Sequence, residues 1–242
     1  MRIFGEIAVV TLRALLGRRR SILMLLLAGI PILVGLLVRA NGNGVPHVGS
    51  TLDGLVIRIV LPLVALVFGT AALGSELEDG TAVHLLTKPI SRSTIVLAKI
   101  AVAGTLTAAL LVPSTILAGV LLADQASGSE ALGTAAAVAV GVLAGSYIYV
   151  AIFVALSVVT SRGLLIGLGY ALIWEGVLAG LLPGSQVFSV REYVRGIAHL
   201  ISPTAVESIV GDAAVIYAAV ALVAATVIAS IRLGVFEVRG GD

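Results

Sequence analysis

The 242-residue sequence contains no cysteine, three histidines and few charged side chains. The absence of cysteine excludes a disulfide framework and a thiolate metal site. His47, His84 and His199 are scattered over predicted loops on opposite sides of a membrane, so they predict neither a metal site nor a Ser–His pair. Charged residues make up 12% of the chain, about half of the share in soluble domains. The composition therefore argues against a soluble domain, and an intramembrane enzyme is only a weak hypothesis.

Apolar residues are abundant, at 59% of the chain, and the mean hydropathy is +1.16. A membrane-spanning helix needs roughly 20 predominantly apolar residues. Strand-like alternation is missing and Ala, Leu and Gly dominate, which favours helices over a barrel. We predict an all-α integral membrane protein with six transmembrane helices. The apolar segments are 21–38, 54–74, 94–123, 133–160, 164–182 and 213–231.

The distribution of Lys and Arg predicts the orientation of these spans. With the N-terminus in the cytoplasm, eleven basic residues lie inside and four outside, which follows the positive-inside rule. Six spans then leave both termini cytoplasmic. The outer four are Arg39, Arg58, Arg191 and Arg195.

Residues 1–20 are predicted to form a separate amphipathic interfacial (elbow) helix ahead of a six-helix domain over 21–242. Arg2, Glu6, Arg13 and Arg20 recur at near-helical spacing, with apolar residues over much of the remaining surface. Residues 18–20, all Arg, would sit at the headgroups of an anionic leaflet. Alternatively, this cluster serves only as a basic topology anchor.

A polar island, "SELEDGTAVHLLTKPISRSTIVLAK" at 75–99, interrupts the apolar sequence. Ser75 and Glu78 match a capping box, which predicts that a short helix begins there. Pro89 would end it. Lys99, a few residues further on, is expected to snorkel back to the interface. The pattern predicts a short helix on the cytoplasmic face between the second and third spans.

This island resembles the segment between the second and third spans in membrane (permease) subunits of ABC-2-type ABC transporters. The shared pattern is an acid pair, Gly-Thr, Leu-Leu, a Pro-Ile-Ser-Arg turn and an early Lys in the next helix. In that family the loop is the coupling helix, which docks in a groove of a cytoplasmic ATPase. The implied ATPase-coupling residues are Ser75, Glu76, Glu78, Asp79, Gly80, Thr81, Leu85, Leu86, Pro89 and Arg92.

The sequence itself has no G-x-x-x-x-G-K-[ST] motif that could bind a nucleotide phosphate. We therefore expect no catalytic residue and no cofactor on this chain, with ATP and Mg²⁺ on a separate ABC ATPase subunit. A net charge of +2 is too small to predict nucleic-acid binding. The resemblance implies two ATPase copies, a second copy of the permease or a similar permease, and a prokaryotic-type plasma (inner) membrane. The implied activity is outward transport, and a wide apolar pathway would suit an amphipathic or lipid-like substrate.

The outer connection at 183–212 is predicted to hold two short helices, apolar on one side and too short to span. Val194, Ile197, Leu200 and Ile201 share one face of the first helix. Ser202 and Pro203 form an N-cap and first-turn proline that would start the second. The resemblance implies a re-entrant extracellular gate here, with Val194, Ile197, Ile201 and Pro203 as its residues. The alternative is a pair of helices that rest on the bilayer.

Besides Lys99, two charged residues lie within predicted spans, Arg58 and Glu175. Glu175 sits in the middle of the fifth span, where a bare carboxylate is costly and usually faces a cavity or a partner. Arg58 lies a turn inside the second span. The resemblance implies a pathway lined by these two spans, so Arg58 and Glu175 could face each other across it. Alternatively, Glu175 is a buried structural carboxylate, or the proton carrier of an ion-coupled secondary transporter, although no inverted repeat supports the latter.

Overall fold

The structure, a computed structural model, describes residues 2–42, 45, 47–78, 91–123, 128–181 and 184–235. All regular secondary structure in these ranges is helical, which confirms the all-α prediction. Two segments are π-helical and two short turns are 3₁₀ (185–188 and 211–213). The α-helices are α1 (Arg2–Leu15), α2 (Arg18–Ala40), α3 (Val48–Leu52), α4 (Leu61–Glu78), α5 (Arg92–Leu122), α6 (Gly128–Val159), α7 (Gly163–Gly169), α8 (Ala179–Leu181), α9 (Val190–Ile201) and α10 (Ala214–Val235).

Five helical stretches of the described chain are long and apolar enough to cross a membrane. They are Ile22–Ala40, Val48–Gly74, Arg92–Leu122, Gly128–Val159 and Gly211–Val235. The predicted fifth span, 164–182, corresponds to a shorter apolar helix, Gly163–Leu178. The chain is therefore a multi-pass membrane protein.

Helix α1 is shorter than the predicted element 1–20. It ends at Leu15, and a non-helical Gly17 separates it from α2, so Arg18–Arg20 form the first turn of α2. Ile7, Thr11 and Leu15 recur every four residues and are buried, which places them on one face of α1. α1 packs on α5 and α4. The opposite side, including Val9, is exposed.

Helix α6 is the centre of the bundle, because α4, α5, α9 and α10 all pack against it. Its glycines permit one of these contacts. A Cβ atom on Gly141 would lie 2.5 Å from the backbone oxygen of Val194, and one on Gly145 would lie 2.5 Å from Val194 Cγ2. The Gly-x-x-x-Gly pattern of α6 therefore lets α9 pack closely against α6, as small residues do between membrane helices.

The predicted start of a helix at Ser75 is wrong, because α4 continues through this position to Glu78. A capping box acts only where the backbone leaves helical geometry at the N-cap. Here the helix extends from an apolar span, and Leu77 and the flanking glutamates are good helix formers that continue it. Residues 79–90 lie outside the described residues, so the predicted coupling helix is untested.

Helices α2 and α10 carry the most exposed apolar surface. Leu26, Leu33 and Leu37 on α2 are each more than half exposed, as are Val220 and Val223 on α10. Exposed apolar surface of this extent is typical of a surface that contacts lipid or another protein. These two helices are the periphery of the bundle.

Candidate functional site

The candidate site is a cluster of buried charged groups where two π-helical segments meet helix α9. The first π segment, Asp53–Val60, joins α3 to α4, and the second, Tyr170–Leu178, joins α7 to α8. π-Helical turns are rare and frequently occur at functional sites. The segments carry Arg58 and Glu175, two of the charged residues that lie within predicted spans.

Glu175 is 2% exposed and accepts four hydrogen bonds. The Tyr170 hydroxyl and the Val190 N–H donate to Oε1, each at 2.8 Å. The Ser189 hydroxyl donates to Oε2 at 2.5 Å, and the Arg191 N–H donates to it at 3.4 Å. The carboxylate is thus bonded on both oxygens to the start of α9.

These bonds satisfy the N-terminus of α9. The first N–H groups of a helix have no partner within it, and the end carries a partial positive charge. Glu175 supplies two acceptor oxygens and a negative charge, while Ser189 Oγ accepts from the Glu192 N–H at 3.4 Å. The chain returns to this position through Gly184, whose φ of +82° favours glycine. Glu175 therefore caps a helix that starts inside the bundle.

A second carboxylate, Asp53, binds the same helix from the first π segment. Arg191 donates to Asp53 Oδ2 at 2.8 Å, and Arg195 Nε lies 3.5 Å from Oδ1. Arg195 also donates to Glu192 Oε1 at 2.5 Å. Burial lowers the pKa of Arg191, but the hydrogen bond and charge of Asp53 raise it on balance above its ordinary value. The guanidinium therefore stays charged and keeps its bond to Asp53.

Arg58 contacts the second π segment but not the Glu175 side chain. Its guanidinium donates to the carbonyl of Gly176 at 2.6 Å, and no hydrogen bond or ion pair to Glu175 exists among the described residues. Arg58 is exposed and lines a cleft of about 170 Å³ between the two π segments, together with Leu63, Leu172 and others. The two residues thus lie on neighbouring helices with different surroundings.

An apolar groove of about 590 Å³ runs between α6, α10 and the start of α9. Its walls are aliphatic, and Tyr170, Tyr193 and Tyr217 also line it. The Tyr193 and Tyr217 rings stack with centroids 6.1 Å apart. Burial first, and then the charge of Glu175, raises the pKa of Tyr193. The groove therefore combines apolar walls with the phenol rings of three tyrosines.

The predicted gate residues are spread over different environments. Val194 is fully buried against α6, and Ile197 is half-buried against the core. Ile201 is 52% exposed. Pro203 is exposed in a turn, so the predicted second short helix starting at Ser202 is wrong. Ser202 is the C-cap of α9, and the next helical turn is the 3₁₀ turn at Gly211–Ala213.

At the other end of α4 and α5, Lys99 is buried, with 1% of its surface exposed. Its Nζ donates to the carbonyl of Ala72 on α4 at 2.5 Å. The prediction that Lys99 snorkels to the interface is therefore wrong, since a buried acceptor lies within reach of its ammonium. Arg92 is the first residue of α5, after Ser91 at the N-cap position. The other predicted coupling residues lie at 75–78, where only the backbone is described, or outside the described residues.

The sequence interpretation missed Asp53, Ser189 and Arg191 as members of this cluster. One local signal was present, because Ser189-Val-Arg-Glu192 follows the capping-box pattern that begins many helices. No local signal could pair Asp53 with Arg191, which lies 138 residues further along the chain.

No group of three or more His, Cys, Asp or Glu side chains suited to a metal occurs in the described part of the chain.

A model of the protein family described as "ABC-2 family transporter protein" matches residues 37–228. The matched region contains both π segments, α9 and the polar island. No curated protein matches the sequence.

Proposed function

The chain belongs to the ABC-2 family of transporter proteins, and on that premise we propose that it is the permease subunit of an ATP-driven exporter. The match over residues 37–228 carries this proposal, because it spans most of the chain and includes the segment that would meet an ATPase. The permease has no catalytic role of its own. A separate ABC ATPase binds ATP and Mg²⁺ and supplies the energy.

The proposed topology has six spans with both termini in the cytoplasm of a prokaryotic-type inner membrane. Gly163–Leu178, extended by α8, is the fifth span, although it is shorter than the others. Helix α9 follows it as a re-entrant helix. Its close contact with Gly141, which lies within the apolar stretch Gly128–Val159, supports this placement.

The coupling role belongs to the polar island. We assign docking on the ATPase to residues 75–92, and in particular to Glu76, Glu78 and Asp79. The position of Lys99 supports this role, because its bond to Ala72 ties together the two helices that flank the loop. Force applied to the loop would then reach α4 and α5 together.

The substrate pathway is proposed along the first π segment, with Arg58 as its polar residue. The exposure of Arg58 in the cleft between the π segments supports this assignment. The apolar groove beside Tyr217 supports an amphipathic or lipid-like substrate. Val194 and Ile197 would hold the outer gate in place, and Ile201 and Pro203 would form its exposed edge.

The hydrogen bonds of Glu175 support a capping role over that of a proton carrier. A carrier must exchange its proton with water on each side of the membrane, whereas Glu175 is buried and bonded on both oxygens. The ion-coupled alternative therefore has no observation in its favour.

The test is transport in proteoliposomes that contain the permease and its cognate ATPase, driven either by ATP or by a pH gradient. We expect transport with ATP alone, and we expect it to persist in Glu175→Gln, which keeps an acceptor oxygen for α9. The double variant Glu78→Lys, Asp79→Lys should lose ATP-driven transport while it still inserts, because it places cations where the partner accepts acids. Transport driven by the gradient alone and abolished by Glu175→Gln would contradict the proposal.

A further inference from the structure

Three contacts join three segments of the outer half of the bundle into a closed triangle. Asp53 ties the first π segment to α9, Glu175 ties the second π segment to α9, and Arg58 ties the two π segments together through the carbonyl of Gly176. Any change in the relative position of two segments must alter at least one of these contacts. The three contacts differ in how easily they can break.

The two contacts to α9 are buried and multiple. Glu175 accepts three of its bonds from the start of α9, and Asp53 lies near two guanidinium groups. Breaking either contact would leave buried charges without partners, which is strongly destabilising. In addition, α9 is seated on Gly141 and Gly145 with no space for a Cβ atom. This corner of the triangle is therefore rigid.

The third contact is of a different kind. Arg58 is exposed, its acceptor is a single neutral carbonyl, and the 170 Å³ cleft beside it leaves the two π segments incompletely packed. An arginine at this place can exchange its bond for water or a lipid headgroup at little cost. Hydrogen bonds between membrane helices contribute on average about 0.6 kcal/mol. Arg58–Gly176 is the weakest side of the triangle.

We propose that the two π segments move apart by pivoting about α9, opening at the contact between Arg58 and Gly176 while Asp53 and Glu175 keep α9 attached to both. The cleft lined by Arg58, Ile59 and Leu172 widens in the open form. Because Ile59, Leu172 and Ile173 beside the cleft are exposed apolar side chains, the opening faces the hydrocarbon region. This motion is a property of the permease chain and requires neither nucleotide nor partner.

The test uses spin-label distances on the permease alone in lipid nanodiscs. The chain has no cysteine, so a pair of introduced cysteines is the only labelled pair. The first pair, Ile59→Cys with Leu172→Cys, spans the cleft, and both native side chains are about half exposed. The second pair, Ser50→Cys with Ile201→Cys, joins exposed positions on α3 and at the end of α9. It reports on the corner that we expect to stay closed.

Arg58→Met removes the donor and keeps an unbranched side chain. We expect it to raise the ratio of long to short distances for the first pair about threefold to tenfold and to leave the second pair unchanged. Arg58→Lys, which can still reach a carbonyl, should have a smaller effect. Arg39→Met is the matched control, because Arg39 is likewise an exposed cation near the end of an apolar helix.

Two results would overturn the proposal. If Arg58→Met leaves the first pair at one short distance, the contact does not hold the segments together. If it shifts both pairs alike, α9 moves and is not the pivot. Neither result bears on whether ATP drives transport.

Discussion

Lys99 shows how a single buried charge can serve a membrane protein. An ammonium inside a helical bundle is costly unless its hydrogen atoms have acceptors. The carbonyl of Ala72 on α4 provides one. Because Lys99 lies beside the proposed coupling loop, we expect this costly interaction to have a mechanical role.

We expect Lys99→Met to separate stability from coupling. A hydrogen bond between membrane helices contributes about 0.6 kcal/mol on average, so loss of the bond to the Ala72 carbonyl should change thermal stability in detergent only slightly. The link between α4 and α5 is lost, so the number of substrate molecules transported per ATP hydrolysed should decrease at least severalfold. Both quantities are measured in the reconstituted complex.

Leu97→Met is the control for this prediction, since Leu97 lies on the exposed side of the same helix. It should change neither stability nor coupling. A Lys99→Met protein that transports with unchanged stoichiometry would show that the buried lysine has only a packing role.

At the scale of elements, the position of α9 is decided by its neighbours. Its N-terminus is capped by Glu175, its first turns are bound by Asp53, and its middle rests on the glycines of α6. Each of these contacts comes from a different part of the chain. Loss of one should therefore loosen α9 without unfolding the bundle.

Gly141→Ala tests the seat of α9. The new Cβ atom would lie 2.5 Å from the backbone oxygen of Val194, so α9 or α6 must shift. Overpacking of this kind typically costs about 1–3 kcal/mol, which corresponds to a fall in Tm of roughly 2–12 °C for a chain of this size. Hydrogen exchange at 190–201 should increase.

Gly133→Ala is a matched control on the same helix, because nothing lies within 4 Å of its added Cβ atom. It should leave Tm unchanged or raise it slightly, since alanine favours helix over glycine. Equal effects of the two substitutions would indicate that α9 does not rest on Gly141.

At the scale of the whole molecule, two peripheral helices expose long apolar faces and one proposed span is short. α2 and α10 are each only 22% buried within their most apolar windows. Exposed apolar surfaces of this length are suited to contact lipid or another protein.

The assembled transporter should contain two permease chains and two ATPase chains. Six proposed spans would form half of a twelve-helix transport unit, so we expect a single permease to lack a complete pathway. Native mass spectrometry of the complex extracted from membranes measures this stoichiometry directly. ATP-driven transport by a complex with one permease chain would contradict the prediction.

The sequence by itself determined the class of this protein, since apolar runs of about 20 residues and scarce charges require membrane helices. It also determined the family, through the contiguous motif at 75–99. Hydropathy and short motifs are local properties of the sequence, so they can be read without knowledge of the fold. The same locality explains the wrong boundary at Ser75, because a capping-box pattern cannot show that the preceding helix continues through it.

Only the tertiary structure decided which groups the charged residues contact. From the sequence alone, Glu175 could be a pathway residue, a proton carrier or a structural carboxylate. Its hydrogen-bond donors at the start of α9 reach it only because the chain folds back at Gly184. Asp53 and Arg191 meet across 138 residues, and no periodicity in the sequence encodes that distance. The free energy of a buried charge depends on the atoms that surround it, and those atoms are brought together by packing.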